Sequence, residues 1–162
     1  MRDKMNTALK GLLVTLMLLI VLSVVWQVFS RYVLRSPSTV TTELARYLLI
    51  WISLFGAAYV SGEKMHLAID LLPRRLSPVW NRRVRTLIYL LIISFVVLVM
   101  IVGGSRLVYI TFILEQTSPA LQIPLAYVYT VLPLSGCLIV LYKLLDIRAL
   151  YAANPNRKHT EH

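Results

Sequence analysis

The chain has 162 residues, 58% of them hydrophobic, with a net charge of +10 and a mean hydropathy of +0.72. That hydropathy excludes an ordinary soluble domain. The basic excess excludes less than it suggests, because four apolar stretches divide the Lys and Arg residues into alternate segments holding 13 and 4 of them. Positive residues stay on the cytoplasmic side during insertion. Both termini and the central loop are therefore expected to be cytoplasmic, no nucleic-acid partner is expected, and the excess reads as a topology signal with attraction to anionic lipids.

A helix of about 20 apolar residues crosses a hydrocarbon core of about 30 Å. Backbone groups in lipid must be satisfied within their own segment. The stretches do not alternate polar with apolar residues, as barrel strands would. The first, residues 9–29, follows a short charged tail. Bulky Gln27-Val28-Phe29-Ser30-Arg31 stands where a signal peptidase needs small residues, so the stretch is read as an uncleaved anchor. An outer loop, residues 30–43, carries Ser36-Pro37-Ser38-Thr39. Thr41 or Thr42 is expected to cap the next helix, with Glu43 in its first turn, favoured by the helix dipole. The second stretch, residues 44–62, has Arg46 near its start. That side chain must snorkel or pair, and Glu43 lies three residues away on the same face. Gly56, Ala57 and Ala58 allow a neighbouring helix to approach closely.

The central loop is more than a linker. Its hydrophobic residues alternate with Arg74, Arg75, Arg82, Arg83 and Arg85, and Ser77-Pro78 suits a helix start. A short amphipathic helix over residues 71–85 is expected in the headgroup plane, with Trp80 at the interface and the arginines toward lipid phosphates. The third stretch, residues 86–104, ends in Gly103-Gly104, which marks a close approach or a fray. A second outer loop, residues 105–124, holds Glu115-Gln116-Thr117-Ser118-Pro119. Pro124 opens the fourth stretch, residues 125–145, in which Cys137 reads as a packing residue. Within it, Pro133 should free a carbonyl and kink the helix. The expected fold is an all-α integral membrane protein: one four-helix domain over residues 1–150, and a polar cytoplasmic tail over residues 151–162.

Little in the chain could carry chemistry. No stretch has an acid near its middle, where proton-coupled carriers exchange charge. The histidines are His66, His159 and His162, without ligand spacing, so neither metal nor cofactor is expected. No nucleophile elbow accompanies His66, and no enzymatic activity is expected. What remains is charge at the helix ends, readable as headgroup contact or as ion pairs between helices or subunits. Arg31, Glu43 and Arg46 fall on one membrane side and could meet.

The landmarks Arg31-Tyr32, Glu43-Leu44-x-Arg46-Tyr47, Trp51, Gly56-Ala57-Ala58 and His66-x3-Asp70 are followed by Ser118-Pro119, Ile123-Pro124, Tyr129 and Pro133. Their order over about residues 10–145 resembles the small membrane subunit (DctQ-like) of tripartite ATP-independent periplasmic (TRAP) transporters. One departure is Val40-Thr41-Thr42, where members often have an aromatic and a second acid. The resemblance implies a bacterial inner-membrane system that takes up an organic acid, such as a dicarboxylate, keto-acid, sugar acid or sialic acid, on a sodium gradient. It implies two partners, a periplasmic substrate-binding protein and a large multi-span membrane subunit, whose static part this chain would brace. Arg31, Glu43, Arg46, Trp51, Gly56, His66 and Asp70 are the expected partner-interface or ion-pair residues. The same composition and topology would also suit a stand-alone four-helix assembly factor for another complex.

Overall fold

The computed structural model describes residues 2–36, 38–63 and 78–152. Helix α1 runs over Arg2–Tyr32 and α2 over Thr39–Gly62. Helix α3, Pro78–Phe95, continues through a π-helical segment, Val96–Gly103, into α4, Gly104–Ile113. Helices α5, Leu125–Tyr129, and α6, Val131–Ala152, form the last crossing. Among the described residues, four helical stretches are long and apolar enough to cross a membrane. They agree with the four expected spans, although every one is longer than its apolar stretch.

The corrections lie at the helix ends. Ser38, in extended backbone, caps α2, its hydroxyl accepting from the Thr41 N–H at 3.4 Å. The Thr41 and Thr42 hydroxyls instead donate back to the Ser38 carbonyl, each at 3.1 Å, a local pairing open to short hydroxyl side chains. The helix thus starts three or four residues early and Glu43 falls in its second turn. The third crossing continues past Gly104 to Ile113, so the outer loop shrinks to residues 114–124. A single exposed Arg106 amid apolar residues does not stop a helix, because its long side chain can reach the interface. The described half of the expected interfacial segment, Pro78 to Arg85, is the start of α3 rather than a separate helix. No breaker intervenes between Trp80 and Leu87. Residues 71–77 of that segment and the tail beyond 152 lie outside the described residues.

The principal contacts run α1 to α2, α2 to α6, and α6 to the π segment, so the crossings form a row in the order first, second, fourth, third. The fourth is the central one: 39% of its apolar window is buried, against 6% for the first. Two small cores result. Leu9, Leu16, Phe55, Val131 and Tyr142 form one, and Ala58, Val96 and Ile139 the other. Lipid is as apolar as these side chains, so close backbone packing and polar contacts must hold the row together.

Close approach is visible where α6 meets the third crossing. A Cβ on Gly104 would lie 2.9 Å from the Leu132 Cβ, and one on Gly136 would lie 3.0 Å from the Met100 Cβ. The widened π turns lie beside this contact. The fourth crossing is interrupted at Thr130, three residues before Pro133, which has no N–H to give the Tyr129 carbonyl.

Gly62, the last residue of α2, gives a sharp test of packing. A Cβ there would fall 2.6 Å from Cζ of Tyr142. That ring is fully buried and its hydroxyl is tied to Asn6 at 2.7 Å, so it cannot step aside. Gly62→Ala is expected to lower the stability of the detergent-solubilised chain by about 1–3 kcal/mol, the usual cost of overpacking. Thermal unfolding followed by circular dichroism checks this, and an unchanged midpoint would sink the packing argument.

Candidate functional site

Polar groups gather at the two ends of the bundle. At the loop end, residues 114–124 form a built turn. Ser118 N–H donates to the Ile123 carbonyl, Gln122 N–H to Ser118 and Leu125 N–H to Gln116, all at 2.9 Å. Glu115 and Gln122 take left-handed backbone, with φ of 47° and 52°, to close it. Within the loop the Leu121 N–H finds only the Ser118 hydroxyl, at 3.3 Å, and the Ala120 N–H is given no loop acceptor. Glu43 Oε2 takes both, at 2.8 and 3.0 Å. Its other oxygen accepts from the Tyr47 hydroxyl at 2.9 Å. The buried Ser118 hydroxyl stands beside both groups. Glu43 is itself only 7% exposed. A charged acceptor for two backbone donors is a strong arrangement, and it ties the start of the second crossing to the turn joining the third and fourth.

One face of α2 continues this connection inward. Two turns beyond Glu43, the Trp51 indole donates to the Val128 carbonyl at 3.1 Å, close to the break in the fourth crossing. Its ring meets Phe55 edge-on, with centroids 5.8 Å apart.

The second cluster lies at the termini end. Arg2 donates from Nη1 to Asp146 Oδ1 at 2.7 Å, and from Nε and Nη2 to the Gly62 carbonyl at 3.0 and 2.6 Å. A guanidinium fork thereby caps the C-terminus of α2, where free carbonyls and the dipole both favour a cation. Lys143 Nζ reaches Asp146 Oδ2 at 3.5 Å and the Ser61 carbonyl at 3.4 Å, and lies 5.6 Å from the centre of the Tyr89 ring. Asn6 accepts from Tyr142 and donates to Glu63 at 3.4 Å. One network thus joins α1, α2, α3 and α6.

Of the expected site residues, Glu43 and Trp51 face inward and hold this chain's own elements together. Arg31 and Arg46 are exposed and make no ion pair with a described residue. Gly56 opens outward, since an added Cβ would meet nothing within 4 Å. Trp80 is 59% exposed, Arg83 is exposed and Arg85 is half-buried. His66, Asp70, Arg74, Arg75 and the Arg82 side chain lie outside the described residues. Sequence reasoning missed the Arg2–Lys143–Asp146 cluster. The available signal was Lys143 and Asp146 spaced three apart on one helix face, near the end of the fourth stretch.

Among the described residues no three His, Cys, Asp or Glu side chains come together as a metal site. The charges buried here are spent on helix ends and a turn. These features define a multi-pass helical membrane protein built as a braced row. Residues 20–152 match the family described as tripartite ATP-independent periplasmic transporters, DctQ component, and the chain belongs to that family. That family is a component of transporters and not an enzyme.

Three relatives agree. A small permease protein assigned to a TRAP transporter in Haemophilus influenzae is 33% identical over 73 residues, 45% of each chain. The C4-dicarboxylate TRAP transporter small permease protein DctQ of Rhodobacter capsulatus is 28% identical over 120 residues, 74% of this chain and 52% of that one. The isethionate TRAP transporter permease protein DctMQ of Oleidesulfovibrio alaskensis is 28% identical over 144 residues, 85% of this chain and 22% of that one. The matched part spans about half the length of the first two and about a fifth of the third.

Proposed function

We propose that this chain is the static small subunit of a sodium-driven, binding-protein-dependent importer of an organic acid in the bacterial inner membrane, with both termini cytoplasmic. It braces the fixed part of a large multi-span subunit while another part of that subunit carries the substrate across. A periplasmic binding protein delivers the acid. The observation that carries this reading is the use of buried charge. Glu43, Lys143 and Asp146 are all consumed in locking helix ends to one another. A body locked at both ends and apolar between them is suited to staying still in lipid.

Further support comes from the relatives. DctMQ is several times longer than the matched region, which suits a small unit working beside a larger one. The names of two relatives specify a C4-dicarboxylate and isethionate, both small organic anions. The basic distribution favours cytoplasmic termini. Trp80, Arg83 and Arg85, with Arg74, Arg75 and Arg82 in the same stretch of sequence, supply interfacial contact with anionic lipids. Arg31 and Arg46 order the periplasmic side, and His66 and Asp70 belong to the partner interface at the opposite end.

The face of α2 turned from the core offers the docking surface. Arg46, Leu49, Ser53, Ala57 and Val60 are exposed along it, with Gly56 at its flank. Small residues there let a partner helix come close. Gly56→Leu is expected to leave thermal stability of the isolated chain unchanged while abolishing co-purification with the large subunit. Loss of stability, or retention of the complex, would remove Gly56 from the interface. The primary test is to express this chain with its genomic neighbours and purify it in detergent. A one-to-one complex with a large membrane protein, with sodium-dependent uptake in liposomes once the binding protein is added, is the expected result. A chain that ignores such a neighbour would favour the stand-alone assembly factor.

A further inference from the structure

We infer that the crease between α1 and α2 at the termini end holds one acyl chain of an anionic phospholipid, whose phosphate is taken by Lys10. The crease has a volume of about 390 Å³ and is lined by Leu13, Val14, Met17, Leu18 and Val21 of α1 and by Tyr59 of α2, with Lys10 at its end. The α1 residues recur at spacings of three and four, so they form one continuous stripe. From Lys10 to Val21 the stripe is about 16 Å long at about 1.5 Å per residue. That is half of a hydrocarbon core of about 30 Å, the depth of one leaflet.

The charge pattern sets the level of the headgroup. Lys10 is the last charged residue before Arg31, with no Asp, Glu, Lys or Arg in residues 11–30. The two cations are about 32 Å apart along the helix and so bracket the hydrocarbon core. Lys10 is exposed and makes no ion pair with a described residue. Glu63, which caps the end of α2, already accepts from Asn6, one turn before Lys10, and stands beside Tyr59. Asp3 lies on the same face of α1 but about 10 Å further out, beyond a phosphate seated on Lys10. An ammonium at the headgroup level above an apolar slot one leaflet deep is complementary to a single anionic lipid. A second crease, lined by Leu16, Leu44, Trp51 and Tyr127 among others, is as apolar but has no cation in its lining, and no occupant is inferred for it.

The full-length chain, purified in detergent, would be mixed with equal amounts of phosphatidylglycerol and phosphatidylcholine of the same acyl composition and examined by native mass spectrometry. One retained phosphatidylglycerol per chain is expected, preferred over phosphatidylcholine by about fivefold, the effect of one cation near an anionic surface. Lys10→Gln should remove the preference, while Lys4→Gln should keep it. Leu18 lines the crease and is 61% exposed, so Leu18→Trp fills the crease without displacing a buried side chain; it should lower retention of both lipids. An undiminished preference in Lys10→Gln, or undiminished retention in Leu18→Trp, would overturn the assignment. So would a wild-type chain that retains no phosphatidylglycerol while Leu18→Trp blocks pairing with the large subunit, which would give the crease to a protein helix. Lipid retention by the isolated chain does not depend on transport, so this inference and the transport reading can fail separately.

Discussion

Replacing Glu43 with alanine is expected to free the turn at residues 118–121 and to lower the stability of the solubilised chain by about 2–4 kcal/mol. The magnitude follows from the Ala120 N–H, which loses its acceptor, and the Leu121 N–H, which keeps only the Ser118 hydroxyl at 3.3 Å; an unmade bond costs about 1–3 kcal/mol when shielded from water, with some relief because Ala120 and Leu121 are only half-buried. Tyr47 loses its acceptor in the same step. Glu43→Gln should recover about half of the loss, since an amide oxygen can still accept from both N–H groups but without the charge that roughly doubles their strength. Arg46→Ala, one turn away and exposed, should leave stability unchanged. Hydrogen exchange separates the clamp from a general weakening. In Glu43→Ala the Ala120 and Leu121 amides should exchange faster while those of α1 keep their protection. Unchanged exchange at Ala120 would show that Glu43 does not hold the turn.

The spans were legible because lipid imposes a simple rule on composition: a run of about 20 apolar residues without charge has no alternative fold there. The helix ends were less legible because the same rule relaxes at the interface. Arg2 to Lys10 and Arg106 to Ile113 continue helices past their apolar cores, since a charged or snorkelling side chain is tolerated once it can reach water. Glu43 stood out as a helix-end acid, and Arg46 was its nearest opposite charge in sequence. Its actual partners, Ala120 and Leu121, are backbone groups about 77 residues away, which no residue type announces. Gly62 resembled the other small residues of α2, and only the fully buried Tyr142 ring shows why it must be glycine. Lys143 and Asp146 were hidden by position, next to a polar tail that resembles them in composition.

Asp146→Asn is expected to destabilise the chain by about 3 kcal/mol. Breaking a buried ion pair costs about 3–5 kcal/mol because the surviving charge is left without compensation. Here the side chains of Asp146 and Lys143 are 4% and 9% exposed, while that of Arg2 is 21% exposed, so the Arg2 share is screened and the lower end of the range applies. Lys143 retains the Ser61 carbonyl and the Tyr89 ring, which limits the damage further. The consequence should fall unevenly. The first crossing buries the smallest share of its apolar window, and burial against another helix gains little over burial in lipid. Its attachment must therefore lean on the polar bonds of Arg2 and Asn6. A disulfide trap joining cysteines placed near the start of α1 and on α6 should form more slowly in Asp146→Asn, while one joining α2 to α6 should not change. A double-mutant cycle of Arg2→Ala and Asp146→Ala should show a coupling of about 1–2 kcal/mol, above the roughly 0.5 kcal/mol expected of independent sites. Simple additivity would mean that the first crossing is held by its apolar contacts alone, and that the network at the termini end serves α2 and α6 instead.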